Sequence, residues 1–123
     1  MLANIATQNP ATFGEEISHE LGVKMVRDFR EANPDEDRAN YIGRNILERI
    51  LNQPQCAGIC FFNAINEMGK KTLVYVGVDM NKRIISQYTT VNTSGELQME
   101  KGIVADRSVK PNQDEDWFFG WFD

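Results

Sequence analysis

Residues 56–80, CAGICFFNAINEMGKKTLVYVGVDM, are the most apolar and least charged part of the chain, and they decide its fold. Side chains alternate along 57–65 and again along 72–79, and β-branched and aromatic residues dominate both runs. This pattern predicts two β-strands. The polar residues between them include Gly69, which reaches a positive φ without steric cost, and they predict a hairpin turn. Because both faces of both strands are largely apolar, we expect central strands that are covered on both sides.

Two helices are predicted upstream of the hairpin. The first spans His19–Ala32, with Ser18 as N-cap and Glu20 at the positive end of the helix dipole. The second begins between Asp37 and Gly43 and continues to Asn52. Each helix has an apolar stripe that is typical of a core-facing surface. The stripes consist of Leu21, Met25, Val26 and Phe29 in the first helix and of Ile42, Ile46, Leu47, Ile50 and Leu51 in the second.

The remaining segments complete the predicted architecture. Residues 84–91 predict a third, more polar strand of the kind found at sheet edges, whereas 97–105 alternate only in part and are compatible with a strand or a loop. We expect a flexible lead-in over 1–16 and a single domain over 17–123. The predicted fold is α+β: two N-terminal helices packed on an antiparallel sheet of three to five strands, connected as a meander, with the hairpin at its centre. We find no internal repeat.

Composition excludes several classes of protein. The chain of 123 residues carries 18 acidic and 13 basic side chains, and this net charge of −5 argues against a protein that binds nucleic acid by neutralising phosphates. No apolar run approaches the roughly 20 residues of a membrane-spanning helix. Residues 1–14 have neither the basic nor the apolar region of a signal peptide. We therefore expect a cytoplasmic protein that binds neither nucleic acid nor membrane.

The sequence nominates no catalytic residue, metal or cofactor. His19-Glu20 begins like the H-E-x-x-H motif of zinc proteases, but His19 is the only histidine, so the second metal ligand is missing. Cys56 and Cys60 would lie about 13 Å apart on a strand, too far for a disulfide, which predicts two reduced thiols. No glycine pattern matches a phosphate-binding or dinucleotide-binding loop.

The C-terminal aromatic segment is the candidate site for binding a partner. It consists of Trp117, Phe118, Phe119, Trp121 and Phe122, and it follows the acidic residues 114–116. One interpretation is that these side chains fold back and cover the sheet. The other is that they anchor the chain in a groove of a partner, with the acidic residues adjusting specificity.

Two functional hypotheses follow. The first is a non-enzymatic interaction module, either protein-binding or homo-oligomeric, that uses an edge strand or the aromatic segment. The alternative is a small-ligand-binding protein or an enzyme with a pocket between helices and sheet. The polar side chains that would converge in such a pocket are Arg30, Tyr75, Asp79 and Tyr88.

The chain also resembles a group of small bacterial α+β proteins of unknown function. The shared pattern is a helix ending in L-x-Q-P, a C-x-G-I strand, a polar turn and a T-L-V-x-V-G-x-D strand. The matching residues are Leu51, Gln53, Pro54, Cys56, Gly58, Ile59, Thr72, Leu73, Val74, Val76, Gly77 and Asp79. This resemblance implies the same fold and a bacterial origin, and it implies no activity.

Overall fold

The computed structural model describes residues 8–37 and 39–108. The described residues contain a short 3-10 helix, two α-helices and five strands, with the predicted β1–β2 hairpin and antiparallel pairing, so the fold class is α+β as predicted. The elements are the 3-10 helix Pro10–Thr12, α1 His19–Ala32, α2 Arg44–Leu51, β1 Cys56–Ile65, β2 Lys71–Asp79, β3 Gln87–Val91, β4 Leu97–Lys101 and β5 Val104–Asp106. The lead-in over 1–16 and the single domain over 17–123 stay predictions.

The chain divides into two compact units. Among the described residues, one unit comprises 8–13 and 42–107, and it contains α2 and the five described strands. The other comprises 14–37, 39–41 and 108, and it contains α1.

Helix α1 has the predicted bounds and cap. The Ser18 hydroxyl accepts a hydrogen bond from the Leu21 N–H at 3.1 Å, and Asn33 ends the helix by donating to the Phe29 carbonyl. The predicted apolar stripe is present, but no residue of α1 is buried, and Leu21, Met25 and Phe29 are exposed. The stripe is thus a largely exposed apolar face of α1.

The core of the other unit is small. Helix α2 contacts β1 and β2, and among its residues Ile50 is buried completely, with 0% of its surface exposed. The buried apolar side chains of the described chain are Ile50, Tyr75, Val76 and Ile85. Hairpin β1–β2 supplies two of them, both from β2, and no residue of β1 is buried.

Strand order differs from the expected meander. The three-stranded sheet has the order β1-β2-β5, so β2 is central and β1 is an edge strand among the described residues. After β2 the chain returns beside it only briefly, with a bridge from Val78 to Ile84 and a 2.9 Å hydrogen bond from the Ile85 N–H to the Gly77 carbonyl. Strand β3 then leaves to form a separate two-stranded sheet with β4. The expectation of a simple meander is therefore wrong, and β1 is not a central strand among the described residues.

Gly102 allows this change of partner. Its N–H donates to the Ser86 carbonyl at 2.8 Å, so the β3–β4 pairing continues to the point where the chain turns into β5. A Cβ atom at Gly102 would lie 1.8 Å from the Ile85 carbonyl oxygen, a distance that no real side chain tolerates. Strand β5 then occupies the edge of β2 opposite residues 74–76. The ambiguous segment 97–105 thus holds β4 and most of β5.

One turn geometry occurs three times, starting at Asn66, Asp79 and Asn92, which lie thirteen residues apart. In each turn the first side chain accepts hydrogen bonds of 2.8–3.0 Å from the N–H groups two and four residues later. The fourth residue has a positive φ in every case, and it is Gly69, Lys82 or Gly95. The sequence predicts a turn or loop at each of these places, but not their shared geometry, because their short polar residues match only in chemical type.

Candidate functional site

The predicted partner-binding aromatics lie outside the described residues. Their assignment, which covers Trp117, Phe118, Phe119, Trp121 and Phe122, stays a prediction.

The polar residues of the alternative pocket are divided between the two units. Arg30 belongs to α1 in one unit, and Tyr75, Asp79 and Tyr88 belong to the other, in which these three do not form one site. Tyr75 and Asp79 are four residues apart on β2, which separates their Cα atoms by about 13 Å. The Asp79 carboxylate caps the turn that follows β2, where it accepts from the N–H groups of Asn81 and Arg83. Tyr88 lies on β3 opposite Glu100, in the second sheet.

Tyr75 has a structural position. Its hydroxyl donates toward the carbonyl oxygens of Asp106 and Arg107 at 3.1 and 3.0 Å, which ties β2 to the end of β5. Burial raises the pKa of the Tyr75 phenol above its ordinary value, and the negative charge of Asp106 raises it further. A hydroxyl that is held protonated against two carbonyl groups stabilises the fold and is a poor general base.

Gln53 is the buried polar side chain of this unit. Its amide nitrogen donates to the Ile50 carbonyl at 3.1 Å, and its amide oxygen accepts from the Ile103 N–H at 2.8 Å. A Cβ atom at Gly77 would lie 2.7 Å from that amide nitrogen, so Gly77 provides the space for the Gln53 side chain. Gln53 therefore links the end of α2 to the segment before β5, which is a structural role.

The thiols and the histidine form no metal-binding cluster in the described residues. Cys56 and Cys60 are free, and the Cys56 thiol donates to the Gly58 carbonyl at 3.2 Å. Among residues 8–37 and 39–108, no three His, Cys, Asp or Glu side chains gather closely enough to hold a metal ion. None of the helices that the structure describes has both the length and the apolar character to cross a membrane.

The outer side of β1 is the most distinctive surface of the sheet. Within the part of the chain that the structure describes, this strand pairs with β2 along one side only, and the 3-10 helix Pro10–Thr12 also contacts it. Its second half is exposed: Phe61 and Phe62 keep 47% and 44% of their surface, and Ile65 keeps 73%. No charged residue occurs between Arg49 and Glu67, so β1 has none of the lysines that protect many edge strands.

The register of the hairpin shows which backbone groups face outward. Asn66 donates to the Lys70 carbonyl at 2.8 Å, and this hydrogen-bonded pair fixes the alternation along β1. Residues 60, 62 and 64 therefore direct their N–H and C=O groups toward β2. The backbone N–H and C=O groups of residues 59, 61, 63 and 65 point away from β2. A bulge between Cys56 and Gly58 ends the regular edge, so we define the β1 edge as residues 59–65.

A second apolar surface lies on the β3–β4 sheet. Val91 pairs with Leu97, and Thr89 pairs with Met99, which places these side chains on the same face. Val91, Leu97 and Met99 are all exposed, and Leu97 keeps 78% of its surface. Two paired strands alone are only marginally stable in water, so this face would gain stability from being covered.

Sequence reasoning missed the β1 edge although a signal was present. The seventeen residues between Arg49 and Glu67 are uncharged, and Phe61-Phe62 places one aromatic ring on each face of the strand. We interpreted apolar side chains on both faces as evidence of a central strand, but the same pattern suits an edge that another chain covers.

The chain was compared with family models, with curated proteins and with solved structures, and none of the three comparisons finds a match. The resemblance to small bacterial proteins, and the bacterial origin that it implies, stay predictions.

Proposed function

We propose that this protein is a non-enzymatic interaction module that binds a protein surface, either that of a partner or that of another copy of itself. The observation that carries the proposal is the distribution of apolar side chains. In the described part of the chain four apolar side chains form the buried core, whereas seventeen large ones are exposed. Removing such surface from water is a dominant favourable contribution to most protein–protein association.

The polar chemistry of the described residues supports a binding role. Asp79, Tyr75 and Gln53 each hold backbone groups in place through side-chain hydrogen bonds. Their hydrogen-bonding capacity is used in building the fold. Large apolar side chains remain exposed on β1, on the β3–β4 sheet and on α1.

The aromatic segment extends the proposal to the C-terminus. Tryptophan and other large aromatic side chains dominate the binding energy of many interfaces, because they bury much area with few rotatable bonds. Trp117, Phe118, Phe119, Trp121 and Phe122 are residues of this type, and they follow three consecutive acidic residues. We propose that they contribute anchors for the partner.

An affinity experiment tests this function. The full chain is immobilised beside two variants, one with Phe61→Ser and Phe62→Ser, the other with Trp117→Ser and Trp121→Ser, and each is exposed to a bacterial cell extract. We expect the wild-type chain to retain a defined protein, which can be a soluble copy of itself, and at least one variant to lose it. Tyr88→Phe is the control that changes an aromatic residue elsewhere. The proposal would be contradicted if the wild type and the three variants all retained the protein equally, or if none of them retained a protein.

A further inference from the structure

We infer that the β1 edge pairs with the β1 edge of a second copy, in antiparallel orientation about a two-fold axis at Phe62. This inference rests on the proposed function and names its partner. The paired edges would join two three-stranded sheets into one continuous six-stranded sheet with the order β5-β2-β1-β1-β2-β5.

The backbone of the β1 edge is self-complementary in this register. The outward-facing residues 59, 61, 63 and 65 are symmetric about residue 62. A two-fold axis there places Phe61 opposite Asn63 of the other copy and Ile59 opposite Ile65. All four outward residues then exchange N–H···O=C bonds, which gives about eight hydrogen bonds across the interface. The bulge before Ile59 and the turn that begins at Asn66 end the ladder on both sides.

The side chains fit the same arrangement. Phe62 meets its own copy at a position without backbone hydrogen bonds, where Cα atoms approach to about 4.5 Å and cross-strand aromatic pairs form. On the other face of the sheet, Phe61 already packs on Tyr75 with ring centroids 5.6 Å apart. Pairing would extend this aromatic contact toward Ile65 of the second copy.

Charge favours a second copy over a charged peptide. The chain is acidic overall, yet the β1 edge and the residues around it from 50 to 66 carry no charge. Two such edges meet without placing like charges opposite each other, and an edge without charges has nothing to attract an acidic or a basic strand. Because a two-fold interface uses the same patch on both copies, it closes as a dimer and leaves no free β1 edge.

Disulfide trapping of the purified full chain tests the register directly. Phe62→Cys places two thiols opposite each other on the two-fold axis, within the 4.4–6.8 Å Cα separation that a disulfide requires. The matched control is Phe61→Cys, at an equally exposed neighbouring position. In the proposed register, position 61 of each copy lies opposite Asn63 of the other copy. The two introduced thiols are therefore diagonal to each other, about 7–8 Å apart. We expect mild oxidation to link Phe62→Cys chains through the introduced cysteine, as peptide mapping would show, and to leave Phe61→Cys chains unlinked at that position.

Sedimentation equilibrium provides the second test. Asn63→Lys places two lysines diagonally across the axis, and we expect it to raise the dimer Kd about tenfold or more. Gln98→Lys makes the same change of charge on β4 and should leave the Kd within about twofold. Circular dichroism confirms that both variants are folded. A wild-type chain that stays monomeric, equal trapping through positions 61 and 62, or a dimer indifferent to Asn63→Lys would each overturn the inference. The affinity experiment above would still decide the proposed function.

Discussion

Among single residues, Tyr75 combines burial, a hydrogen bond and a shifted pKa. We expect Tyr75→Phe to lower the free energy of unfolding at neutral pH by about 1 kcal/mol, because the carbonyl groups of Asp106 and Arg107 lose their donor. The pKa of the phenol is raised in the folded chain, so its contribution is complete below about pH 10 and disappears as the pH rises through the folded value. Urea unfolding should therefore show the difference between wild type and variant shrinking above that pH. The same shrinkage for Tyr88→Phe would contradict the assignment to Tyr75.

Gly102 is the residue that fixes the path from β4 to β5. Gly102→Ala would drive a Cβ atom into the Ile85 carbonyl oxygen, so the strands must separate, and we expect a loss of at least about 2 kcal/mol in the free energy of unfolding. Gly58→Ala is the matched control, because nothing lies within 4 Å of a Cβ atom there. We expect it to change stability by less than about 1 kcal/mol. Chemical denaturation of the two variants makes the comparison, and equal losses would show that crowding at Gly102 is unimportant.

Among the elements, the three related turns allow an exchange experiment. Lys82 has φ +65°, a conformation that costs a side chain about 1–2 kcal/mol, whereas Gly95 occupies the equivalent position of the last turn with φ +81°. After allowing for the extra freedom of glycine in the unfolded chain, we expect Lys82→Gly to stabilise the protein by about 0.5–1 kcal/mol. Gly95→Lys should destabilise it by a similar amount. Thermal unfolding of both variants tests this, and a destabilising Lys82→Gly would show that the Lys82 side chain has contacts that outweigh the strain.

Local elements could be predicted well from the sequence, and their partners could not. The cap at Ser18 and the bounds of α1 follow from chemistry within a few residues. The hairpin turn likewise needs only Asn66 and Gly69. Strand β5 replaces residues 84 and 85 at the edge of β2, and this depends on the close approach of Gly102 to the Ile85 backbone. No local sequence pattern encodes that contact. The apolar stripe of α1 shows the same limit of prediction from local sequence. Its periodicity identifies an apolar face but does not say whether the chain itself buries that face.

At the scale of the whole molecule, a small core and a large exposed apolar surface occur in the same chain. Alternation along β1 predicts the strand, but its edge position follows from the absence of a further strand beside it among the described residues, and Phe61 and Phe62 are exposed there. The candidate site therefore could not be located by looking for reactive groups. It is defined by backbone groups and apolar side chains, which every strand possesses and only the edge position makes available.

Ionic strength should act on the whole molecule in a direction that identifies the interface. Each copy has a net charge of −5, so two copies repel each other when the Debye length is long, whereas the β1 edge contributes no charge pair that salt would weaken. We expect the dimer Kd to fall as sodium chloride rises from a few tens of millimolar to physiological strength, where the Debye length is about 8 Å. Sedimentation equilibrium across a salt series measures this, with the Asn63→Lys variant as a chain whose interface carries charge. A wild-type dimer that dissociates as salt rises would point to an interface held by ion pairs, which the β1 edge cannot provide.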